Sequence, residues 1–465
     1  MISLSNGVTS IRGVAGGRKT QLIADLAFEH PDKKFLYLSY GRANAEAVKS
    51  RFSNNVDVHT YHSYIHKHFT DKMVTLHIVD KITQAELDMS YVAMNGNEYA
   101  VVDDKRLAPY IAAVLNYFST NPGPIGSAKA ALTPYKKDLP HEDMVNIMKA
   151  ASIYVKHALR NEAALTHEMY LKLGLREDLR DNPYDIIVSD EHQDTSKTMQ
   201  SVLMALDPLG EKCVIKLGDP LQMIFQHLGA ELDNDLINPT HQFNKTFRCG
   251  ANVTKLANDI SMPHYRKYGM AEMIPAGHDD EVVTYAENTL TPMERGAILH
   301  YHNASVIAHA IDLTLEGIPI TIDSASLRKG LNVYSKIIER AKRSRIGFHR
   351  EIDIILRRAV SGGERDTVIA ARVISKMSNE LNKLTSVLGQ LGEKAKNPKY
   401  LLATIHFMKG QTFKQVTLGN DVTTLNPANR YHANVLYTGI TRASDKLFVP
   451  KGLWNKLKES VEKEK

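Results

Sequence analysis

The chain has 465 residues, 43% of them hydrophobic and 24% charged, which predicts two or more packed domains and excludes a single small module or a mostly disordered chain. No run of eighteen apolar residues and no apolar secretory signal is present, so we expect a cytoplasmic protein without a membrane partner, in which Cys213 and Cys249 are buried thiols. The net charge of +6 reflects a concentration of basic residues in the segment 321–400, which holds 17 Lys and Arg against 8 Asp and Glu.

The first seventy residues predict an α/β opening. A β-branched run, a glycine-rich turn, an apolar helical pattern and the strand KFLYLSY follow one another, in the order of a strand–helix–strand unit. Residues 71–183 predict a mixed, mainly helical segment. Two apolar strands then occur in YDIIVSDEHQDTS and CVIKLGDPLQ, and each is followed by carboxylates, as expected at the carboxyl ends of buried parallel strands.

A second α/β unit begins near residue 296 with GAILHYHNASVIAHAIDLTLEGIPITI, and its partner strands are expected within 401–449. The basic segment between them predicts long helices, broken at Ser361–Gly363, and therefore an insertion. Its charge suits either a surface that binds a polyanion or an ordinary solvated helical face. The last residues, 451–465, predict a charged helical tail with frayed ends.

The glycine-rich turn has the chemistry of a phosphate-binding loop. In the P-loop pattern, backbone N–H groups surround phosphate oxygens, a lysine neutralises their charge and a hydroxyl reaches Mg²⁺. The matching residues are Gly13, Val14, Ala15, Gly16, Gly17, Arg18, Lys19 and Thr20. Arg18 stands where glycine is usual, so it must adopt a glycine-like backbone with strain, or the loop must shift. The alternative interpretation is a basic surface turn.

An acidic turn after the strand YDIIV supplies the groups that a phosphate-binding loop requires. Asp190, at the end of this strand, is placed to hold Mg²⁺, and Glu191 beside it is placed to orient and deprotonate an attacking water. The pair therefore predicts ATP and Mg²⁺ as substrate and cofactor. A solvated acidic loop is the alternative, which the wholly apolar strand before it disfavours.

Eight segments, in their order along the chain, resemble the motif series of superfamily 1 DNA helicases of the UvrD/Rep type. They are GVAGGRKT, LYLSYGRANAEAVKSRF, VHTYHSY, IIVSDEHQDTS, LGDPLQMIFQHLGA, NKTFRCG, TIHFMKGQTF and LYTGITRASDKL, and they cover essentially the whole chain. Within this family, the segments LYLSY through TYHSY, LTHEMYLKL and TFRCG are most similar to the helicase core of F-box DNA helicases.

The resemblance implies an α/β fold with two RecA-like P-loop domains, parallel sheets and helical insertion subdomains. ATP would bind in the cleft between the two domains, and single-stranded DNA would run across their tops. The implied divisions are 1–70 and 184–240 for the first RecA-like domain, 71–183 for its helical insertion, 241–320 and 400–450 for the second RecA-like domain, 321–399 for a reduced basic insertion and 451–465 for the charged tail.

The resemblance also implies roles for individual residues. Lys19, Glu191, Gln222, Arg248 and Arg442 would act on the triphosphate, the last two as arginines that reach the γ-phosphate. Phe247 would stack on adenine, within an ATP site formed by Gly13 to Thr20, and Thr20 and Asp190 would bind the metal. The implied DNA-binding residues are Tyr40, Arg42, Thr60, Tyr61, His62, Phe225, His227, Thr404, His406 and Lys409, with Tyr40, Phe225 and His227 as base-stacking platforms.

The activity implied is an ATP-dependent helicase or translocase that moves 3′→5′ on single-stranded DNA. Its partners would be single-stranded DNA, junctions with duplex, and proteins of replication or recombination, at a nucleoid or, for a viral protein, in the host cytoplasm.

The chain departs from the family at Arg18, at His192 where alanine is usual, at Thr412 where glutamate is usual, and at His227 and Leu228 where a large aromatic residue and an arginine are usual. The twelve residues before Gly13 contain no glutamine to read adenine.

These departures leave two alternatives open. One is a nucleotide-gated subunit that binds nucleic acid and hydrolyses little ATP, as Arg18 and the missing adenine reader suggest. The other is a motor directed to RNA, since the 2′-hydroxyl is what distinguishes RNA from DNA for a protein.

Overall fold

Strands and helices alternate along the chain, and the described residues form an α/β structure with two six-stranded sheets and a separate two-stranded one. The computed structural model describes residues 4–69, 78–79, 105–158, 163–175, 178–275, 277–287, 289–393 and 395–462. They form two compact units. Unit 1 comprises the residues up to Gly13 together with Lys19–Gln242, and unit 2 comprises Val14–Arg18 together with the residues from Phe243 onward.

The main sheet of unit 1 has the spatial order β3-β2-β6-β7-β1-β8. The strands up to this point of the chain are β1 (Gly7–Gly13), β2 (Phe35–Ser39), β3 (Val56–Thr60), β4 (Ile78–Val79), β5 (Leu165–Thr166), β6 (Ile186–Ser189), β7 (Cys213–Gly218) and β8 (His241–Phe243), of which β4 and β5 form the two-stranded sheet. The pairs β1–β7, β6–β7, β2–β6 and β2–β3 are parallel. The turns that follow β1, β6 and β7 therefore start from one edge of the sheet.

The central strands of this sheet are continuous apolar runs because both of their faces are covered. Every residue of β2, β6 and β7 is buried, as parallel strands between two helical layers require. The sequence patterns predicted these strands correctly. The edge strand β3 was not predicted, because its sequence, VDVHT, is polar at alternate positions and none of its residues is fully buried.

Within the described ranges of unit 1, eight helices cover the sheet or form the segment that was predicted as an insertion. They are α1 (Lys19–Glu29), α2 (Arg42–Lys49), α3 (Tyr61–Phe69), α4 (Ala108–Thr120), α5 (His141–Ala158), α6 (His167–Gly174), α7 (Lys197–Leu206) and α8 (Asn234–Ile237). Short 3₁₀ segments lie at Lys105–Leu107, Ile125–Tyr135, His192–Asp194, Pro220–Gln222 and Gln226–Leu228. The helices α4 and α5 bury a hydrophobic cluster that includes Ile111, Leu115 and Ile147. The described part of 71–183 is thus mainly helical, as predicted.

The sheet of unit 2 has the order β11-β12-β10-β13-β14-β9. Its strands are β9 (Glu281–Tyr285), β10 (Gly296–His300), β11 (Ile320–Ile322), β12 (Tyr400–Thr404), β13 (Phe413–Leu418) and β14 (Ala443–Pro450), all paired in parallel. The strands from β10 onward match the prediction. The sheet begins earlier than expected, since β9 pairs with β14 at the edge, where partial exposure removes the continuous apolar signal.

The helices of unit 2 are α9 (Ala251–Tyr265), α10 (Asn303–Leu315), α11 (Ser324–Lys342), α12 (Phe348–Gly362), α13 (Arg365–Lys376), α14 (Leu381–Gln390), α15 (Arg430–Ile440) and α16 (Lys451–Glu462). Short 3₁₀ segments lie at Arg266–Tyr268, Ser378–Glu380 and Asn420–Thr424. The basic block α11–α14 shares one hydrophobic core with α10 and the sheet, through residues that include Ile307, Tyr334, Ile352, Ile374 and Leu402. The predicted break occurs where α12 ends at Gly362 and Gly363 takes a left-handed φ of 71°.

The C-terminal segment forms the ordered helix α16 over its described residues. Leu453 and Leu457 are buried, and the backbone N–H of Gly452 donates to Glu287 Oε1 at 2.6 Å. The predicted tail is thus a packed helix from Lys451 to Glu462, since its apolar residues recur at helical spacing.

Cys213 and Cys249 are buried free thiols, as predicted. Within the described ranges, no helix has the length and apolar character needed to cross a bilayer.

Candidate functional site

The site residues of unit 1 are arranged around the start of α1. Lys19 is the first residue of this helix, and its Nζ donates a hydrogen bond to the carbonyl oxygen of Gly13 at 2.9 Å. The side chain is buried, and its ammonium group is an electrostatic partner of Asp190 and Asp219. A buried ammonium group is a strong donor for an anionic group, and a divalent cation bound beside it would offset the charge of the two carboxylates.

Asp190 lies directly after β6 with one carboxylate oxygen unused by the protein. Tyr37, whose hydroxyl also hydrogen-bonds Thr20, donates to Oδ2 of Asp190, while Oδ1 is buried and has no hydrogen-bond partner among the described residues. Burial and the adjacent charge of Glu191 raise the pKa of Asp190. An unpaired buried carboxylate oxygen fits the coordination of a hard divalent cation such as Mg²⁺. Asp190 and the Thr20 hydroxyl are the groups that would hold it.

Glu191 is connected to the turn after β7 through one glutamine. Gln193 Nε2 donates to Glu191 Oε2 at 2.6 Å, and Gln193 Oε1 accepts a hydrogen bond from the backbone N–H of Asp219 at 2.9 Å. Gln222 Nε2 in turn donates to Asp219 Oδ2 at 2.6 Å. The structure thus brings together Lys19, Glu191 and Gln222 with the predicted metal-binding residues of the same unit. Burial raises the pKa of Asp219, which therefore depends on these donors and on the lysine for its charge.

Three residues of this network carried no predicted role, namely Tyr37, Gln193 and Asp219. Each lies inside a motif that the sequence displays, since Tyr37 belongs to LYLSY, Gln193 to DEHQD and Asp219 to GDPLQ. A polar side chain inside or directly after an apolar strand was the available signal. The partner of each could not be read from the sequence, because the hydrogen bonds join different strands.

The middle of the glycine-rich loop belongs to unit 2 and packs against the segment that contains Phe247 and Arg248. The backbone N–H of Phe247 donates to Gly16 O at 3.0 Å, and the N–H of Ala15 donates to the Tyr437 hydroxyl at 3.2 Å. Gly16 has φ of 71°, and a Cβ at this position would lie 2.5 Å from the Cβ of Arg248. Glycine is therefore required here both by the backbone conformation and by the close approach.

Arg18 takes the glycine-like conformation that was one of its two predicted outcomes. Its φ is 58°, in the left-handed region, and its guanidinium carbon lies 3.8 Å from the centroid of the Phe247 ring. Lys245 Nζ is 5.4 Å from the same centroid. Phe247, predicted to stack on adenine, is 40% exposed and has one ring face covered by a cation. The remaining loop residues, Val14 and Gly17, are held by hydrogen bonds of their backbones, from Val14 N–H to Phe243 O and from Gly17 N–H to Val14 O.

The two arginines predicted to act on the γ-phosphate meet at one threonine of unit 2. Arg248 Nη1 donates to the carbonyl oxygen of Thr441 at 3.1 Å, and Arg442 Nη2 donates to the Thr441 hydroxyl at 3.4 Å. Arg442 is only 1% exposed and also donates to the carbonyl oxygens of Thr438 and Gln411. The guanidinium groups of both arginines are thus pre-oriented by acceptors of their own unit, which limits the conformational entropy they lose on binding an anion.

The aromatic residues predicted to stack on DNA bases stack on each other in unit 1. The rings of Tyr40 and Phe225 are 5.1 Å apart at an interplanar angle of 21°, and the ring of His227 lies 6.2 Å from that of Phe225. Tyr40 and Phe225 are partly exposed, while His227 and Arg42, the first residue of α2, are exposed. The cluster thus presents partly exposed ring surface, and its contact with DNA stays a prediction.

The predicted DNA contacts Thr60, Tyr61 and His62 lie where β3 meets α3, and they differ in exposure. Tyr61 is fully buried in the hydrophobic core, with its hydroxyl 2.6 Å from Ser189 Oγ. The side chains of Thr60 and His62 are partly exposed, and His62 Nε2 lies 3.9 Å from Glu168 Oε1. The side chain of Tyr61 therefore supports the core, and the surface at this point consists of its two neighbours.

The predicted DNA contacts of unit 2 follow β12. Thr404 and Lys409 are buried, and the backbone N–H of Thr404 donates to Ser326 Oγ at 3.1 Å. His406 is partly exposed, and its Nε2 lies 3.1 Å from the Tyr431 hydroxyl. Of the three residues, His406 has the side chain with the most surface available for a ligand.

No protein-family model matches the chain. A relative is found among curated proteins, namely F-box DNA helicase 1 of Gallus gallus, which is 22% identical over 505 aligned residues. The alignment covers 96% of this chain and 47% of the relative, so the chain spans about half the length of the curated protein it matches. The similarity is distant, and it extends over nearly all of the residues that form the two units.

Proposed function

We propose that the protein is an ATP-dependent DNA helicase or translocase of superfamily 1, UvrD/Rep type, which moves 3′→5′ on single-stranded DNA. The ordered motifs, the two parallel sheets and the distant similarity to a DNA helicase support this proposal. Each sheet would be the centre of a RecA-like domain, with 71–183 and 321–399 as insertions into the first and second domains. Its site of action would be on nucleic acid, with proteins of replication or recombination as partners.

The observation that carries the proposal is the group formed by Lys19, Asp190, Glu191 and Asp219 at the carboxyl edge of the unit 1 sheet. A buried lysine, a carboxylate oxygen without a donor and a second carboxylate held by an amide are what hydrolysis of a phosphoanhydride requires. Bound Mg²⁺ would neutralise charge on the phosphates. Lys19 would bind phosphate oxygens, and Glu191 would orient the attacking water and accept its proton.

Two arginines of unit 2 and a glutamine of unit 1 would also act on the γ-phosphate. Arg248 and Arg442 would stabilise the charge that develops on the γ-phosphate, and Gln222 of unit 1 would sense that group through its bond to Asp219. The loop residues Val14 to Arg18 would present backbone N–H groups to the phosphates. Nucleic acid would contact the exposed and partly exposed side chains of the predicted set, and binding would weaken with salt because phosphate contacts release counterions.

The experiment is ATP turnover measured against increasing single-stranded DNA for wild type, Lys19→Ala and Glu191→Gln. We expect each variant to lose DNA-stimulated turnover by about 100-fold or more, because each removes a group that acts in the transition state. Affinity for an oligonucleotide should change little. The exposed Lys129 and Glu211 supply matched controls, Lys129→Ala and Glu211→Gln, which should keep wild-type turnover. Unchanged turnover in both site variants would refute the proposal.

Polarity and nucleic-acid preference need separate measurements. A duplex with a 3′ single-stranded tail should be unwound, whereas one with a 5′ tail should not, if movement is 3′→5′. RNA and DNA oligonucleotides of one sequence, compared as stimulators of turnover, test the alternative of an RNA-directed motor.

A second candidate function is favoured by one contact, the guanidinium of Arg18 against the ring of Phe247. Since this ring is the proposed platform for adenine, a cation on its face weakens base recognition and favours a nucleotide-gated binding subunit with little hydrolysis. Slow turnover that nucleic acid does not stimulate, together with nucleic-acid affinity that depends on ATP, would support this second function.

A further inference from the structure

One buried histidine lies beside the proposed catalytic glutamate and has no counterpart in the family pattern, which has alanine at this position. His192 is 0% exposed and occupies the short 3₁₀ turn that follows Glu191. An imidazole at a buried position is costly unless both of its nitrogens have partners. The role of this side chain follows from what it contacts.

Both ring nitrogens of His192 are hydrogen-bonded. Nδ1 lies 2.7 Å from Ser189 Oγ, at the end of β6, and Nε2 lies 2.9 Å from Asp233 Oδ2, at the start of α8. Ser189 Oγ is also 2.6 Å from the hydroxyl of Tyr61. Lys216 Nζ donates to the same Oδ2 of Asp233 at 2.7 Å. The imidazole thus links Ser189, at the end of β6, to the ion pair formed by Asp233 and Lys216.

The charges around His192 determine where its proton lies. Burial opposes ionisation of Asp233, yet the hydrogen bonds from His192 and Lys216 prevail and hold its pKa below the usual range. The ionised carboxylate can only accept, so it accepts a hydrogen bond from Nε2 of His192. Lys216 also pairs with Asp235, at 2.5 Å. This arrangement gives both ring nitrogens of His192 a hydrogen-bond partner.

The backbone conformation of Glu191 explains why the hydrogen bonds of His192 are needed. Glu191 has φ of 53°, and a non-glycine residue in the left-handed region costs about 1 kcal/mol or more, so it persists only where its surroundings impose it. On its N-terminal side, the N–H of Asp190 donates to Leu38 O at 2.9 Å. On its C-terminal side, the side chain of His192 supplies two attachments that an alanine lacks.

We propose that His192 is a positioning residue, which holds Glu191 in the conformation required for its role on the attacking water. The proposal rests on the proposed function, since it assumes that Glu191 is the catalytic base. In it, the imidazole contacts neither nucleotide nor metal and acts through the backbone of the turn.

The kinetic test compares His192→Ala, His192→Gln and wild type. We expect His192→Ala to lower kcat for DNA-stimulated ATP hydrolysis by about 10- to 100-fold, the usual cost of losing a side chain that orients a catalytic group. KM for ATP and the Kd for an oligonucleotide should stay within about twofold, because the phosphate and DNA contacts are untouched. A glutamine reaches Asp233 through its amide, so His192→Gln should recover part of kcat.

A second variant covers the case in which His192→Ala does not fold. Asp233→Asn keeps an oxygen for capping α8, where Asp233 Oδ1 accepts from the N–H of Asp235, but weakens the charge-assisted bond to the imidazole. We expect a smaller fall in kcat, again without a change in KM. Wild-type kcat in His192→Ala, or equal losses of kcat and nucleotide affinity, would overturn the proposal.

Hydrogen–deuterium exchange separates failure of this inference from failure of the proposed function. The N–H groups of Asp194 and Thr195 donate to the carbonyl oxygens of Glu191 and His192, so their exchange reports the geometry of the turn whether or not ATP is hydrolysed. Exchange in this peptide should rise about tenfold or more in His192→Ala, with Glu281–Tyr285 of unit 2 as an unchanged control. Equal exchange in variant and wild type would overturn the inference even if the wild type proved inactive.

Discussion

Gln193 joins the turns that follow β6 and β7, because its Oε1 accepts a hydrogen bond from the backbone N–H of Asp219 at 2.9 Å. Its Nε2 donates to Glu191 on the other side, so one amide fixes the relative position of the proposed base and of Asp219. Gly218 permits this approach, since a Cβ there would lie 2.8 Å from Oε1 of Gln193. The amide therefore supports the carboxylates of the proposed catalytic group.

Replacement of Gln193 tests this support. Gln193→Ala removes one hydrogen-bond partner from the buried N–H of Asp219 and one from the carboxylate of Glu191, so we expect a loss of about 1–3 kcal/mol in the free energy of unfolding and a fall in kcat. Gln193→Glu keeps the shape but places a third carboxylate beside Glu191 and Asp194, which should lower kcat further. Urea denaturation and ATP turnover measure the two effects. Wild-type values for both variants would contradict the role assigned to the amide.

Asp190→Asn should weaken the Mg²⁺-dependent binding of ATP without lowering the stability of the fold. Burial and the charge of Glu191 raise the pKa of Asp190, so the folded protein holds its ionised form at a cost that grows as pH rises above the ordinary pKa of an aspartate. The amide removes this cost, and we expect an unfolding midpoint in urea at pH 7 equal to or above that of the wild type. Mg²⁺-dependent binding of ATP should fall in the same variant. A clearly lower midpoint would show that the ionised carboxylate of Asp190 contributes more stability than its burial costs.

Glu168 and His62 predict opposing effects of pH on stability. Burial raises the pKa of Glu168 from 4.5 to about 7, so its contribution to stability is lost as pH rises from 4.5 to about 7. Burial lowers the pKa of His62 from 6.5 to about 4, so its contribution is lost as pH falls through the same range. The two effects partly cancel in the wild type.

Glu168→Gln keeps an acceptor for the Ser196 hydroxyl and removes only the ionisable carboxyl group. The free energy of unfolding of this variant, relative to wild type, should increase by on the order of 2 kcal/mol between pH 4 and pH 7.5. Urea titrations at closely spaced pH values measure this difference. Parallel pH profiles of the two proteins would show that Glu168 titrates normally.

Two substitutions of Arg18 distinguish backbone strain from the contact with Phe247. Both Arg18→Gly and Arg18→Ala lose the stacking of the guanidinium, worth about 0.5–1 kcal/mol at an exposed site. Only glycine relieves the left-handed φ, so Arg18→Gly should be more stable than Arg18→Ala by about 1 kcal/mol. If the alanine variant were the more stable, the left-handed conformation would be excluded. ATP affinity should rise in Arg18→Gly if the cation competes with adenine for the ring.

Arg442 should be as important for the stability of unit 2 as for its proposed chemistry. Arg442→Ala removes the donor to the carbonyl oxygens of Thr438 and Gln411 and opens a cavity, so we expect a loss of about 3 kcal/mol in the free energy of unfolding. The only tryptophan of the chain, Trp454 in α16, reports the unfolding of this unit by fluorescence. Arg430→Ala, at an exposed arginine, is the control and should change stability by less than about 0.5 kcal/mol. A loss in the Arg442 variant no greater than in this control would contradict the structural role.

The sequence predicted the central strands and the turns at their carboxyl ends, because continuous apolar runs followed by polar residues are local signals. It failed at β3 and β9, since edge strands are partly exposed and lack that signal. That Lys19 and Asp190 act on one triphosphate stays a prediction, and in unit 1 the charge of Lys19 favours the ionised form of Asp190. Its motif could not show that the side chain of Tyr61, a predicted DNA contact, is buried, because burial depends on which helix covers the residue.

What the sequence by itself determined is the order and chemical character of the segments, since hydrophobic periodicity and residue type act over a few neighbouring positions. Only the tertiary structure decided the hydrogen bonds of His192 and Gln193, the cation that lies on Phe247 and the meeting of Arg248 with Arg442 at Thr441. These contacts join residues from different strands and helices, and their geometry depends on how the elements pack. A motif can therefore name a catalytic side chain, but the groups that hold it in place are selected by the fold.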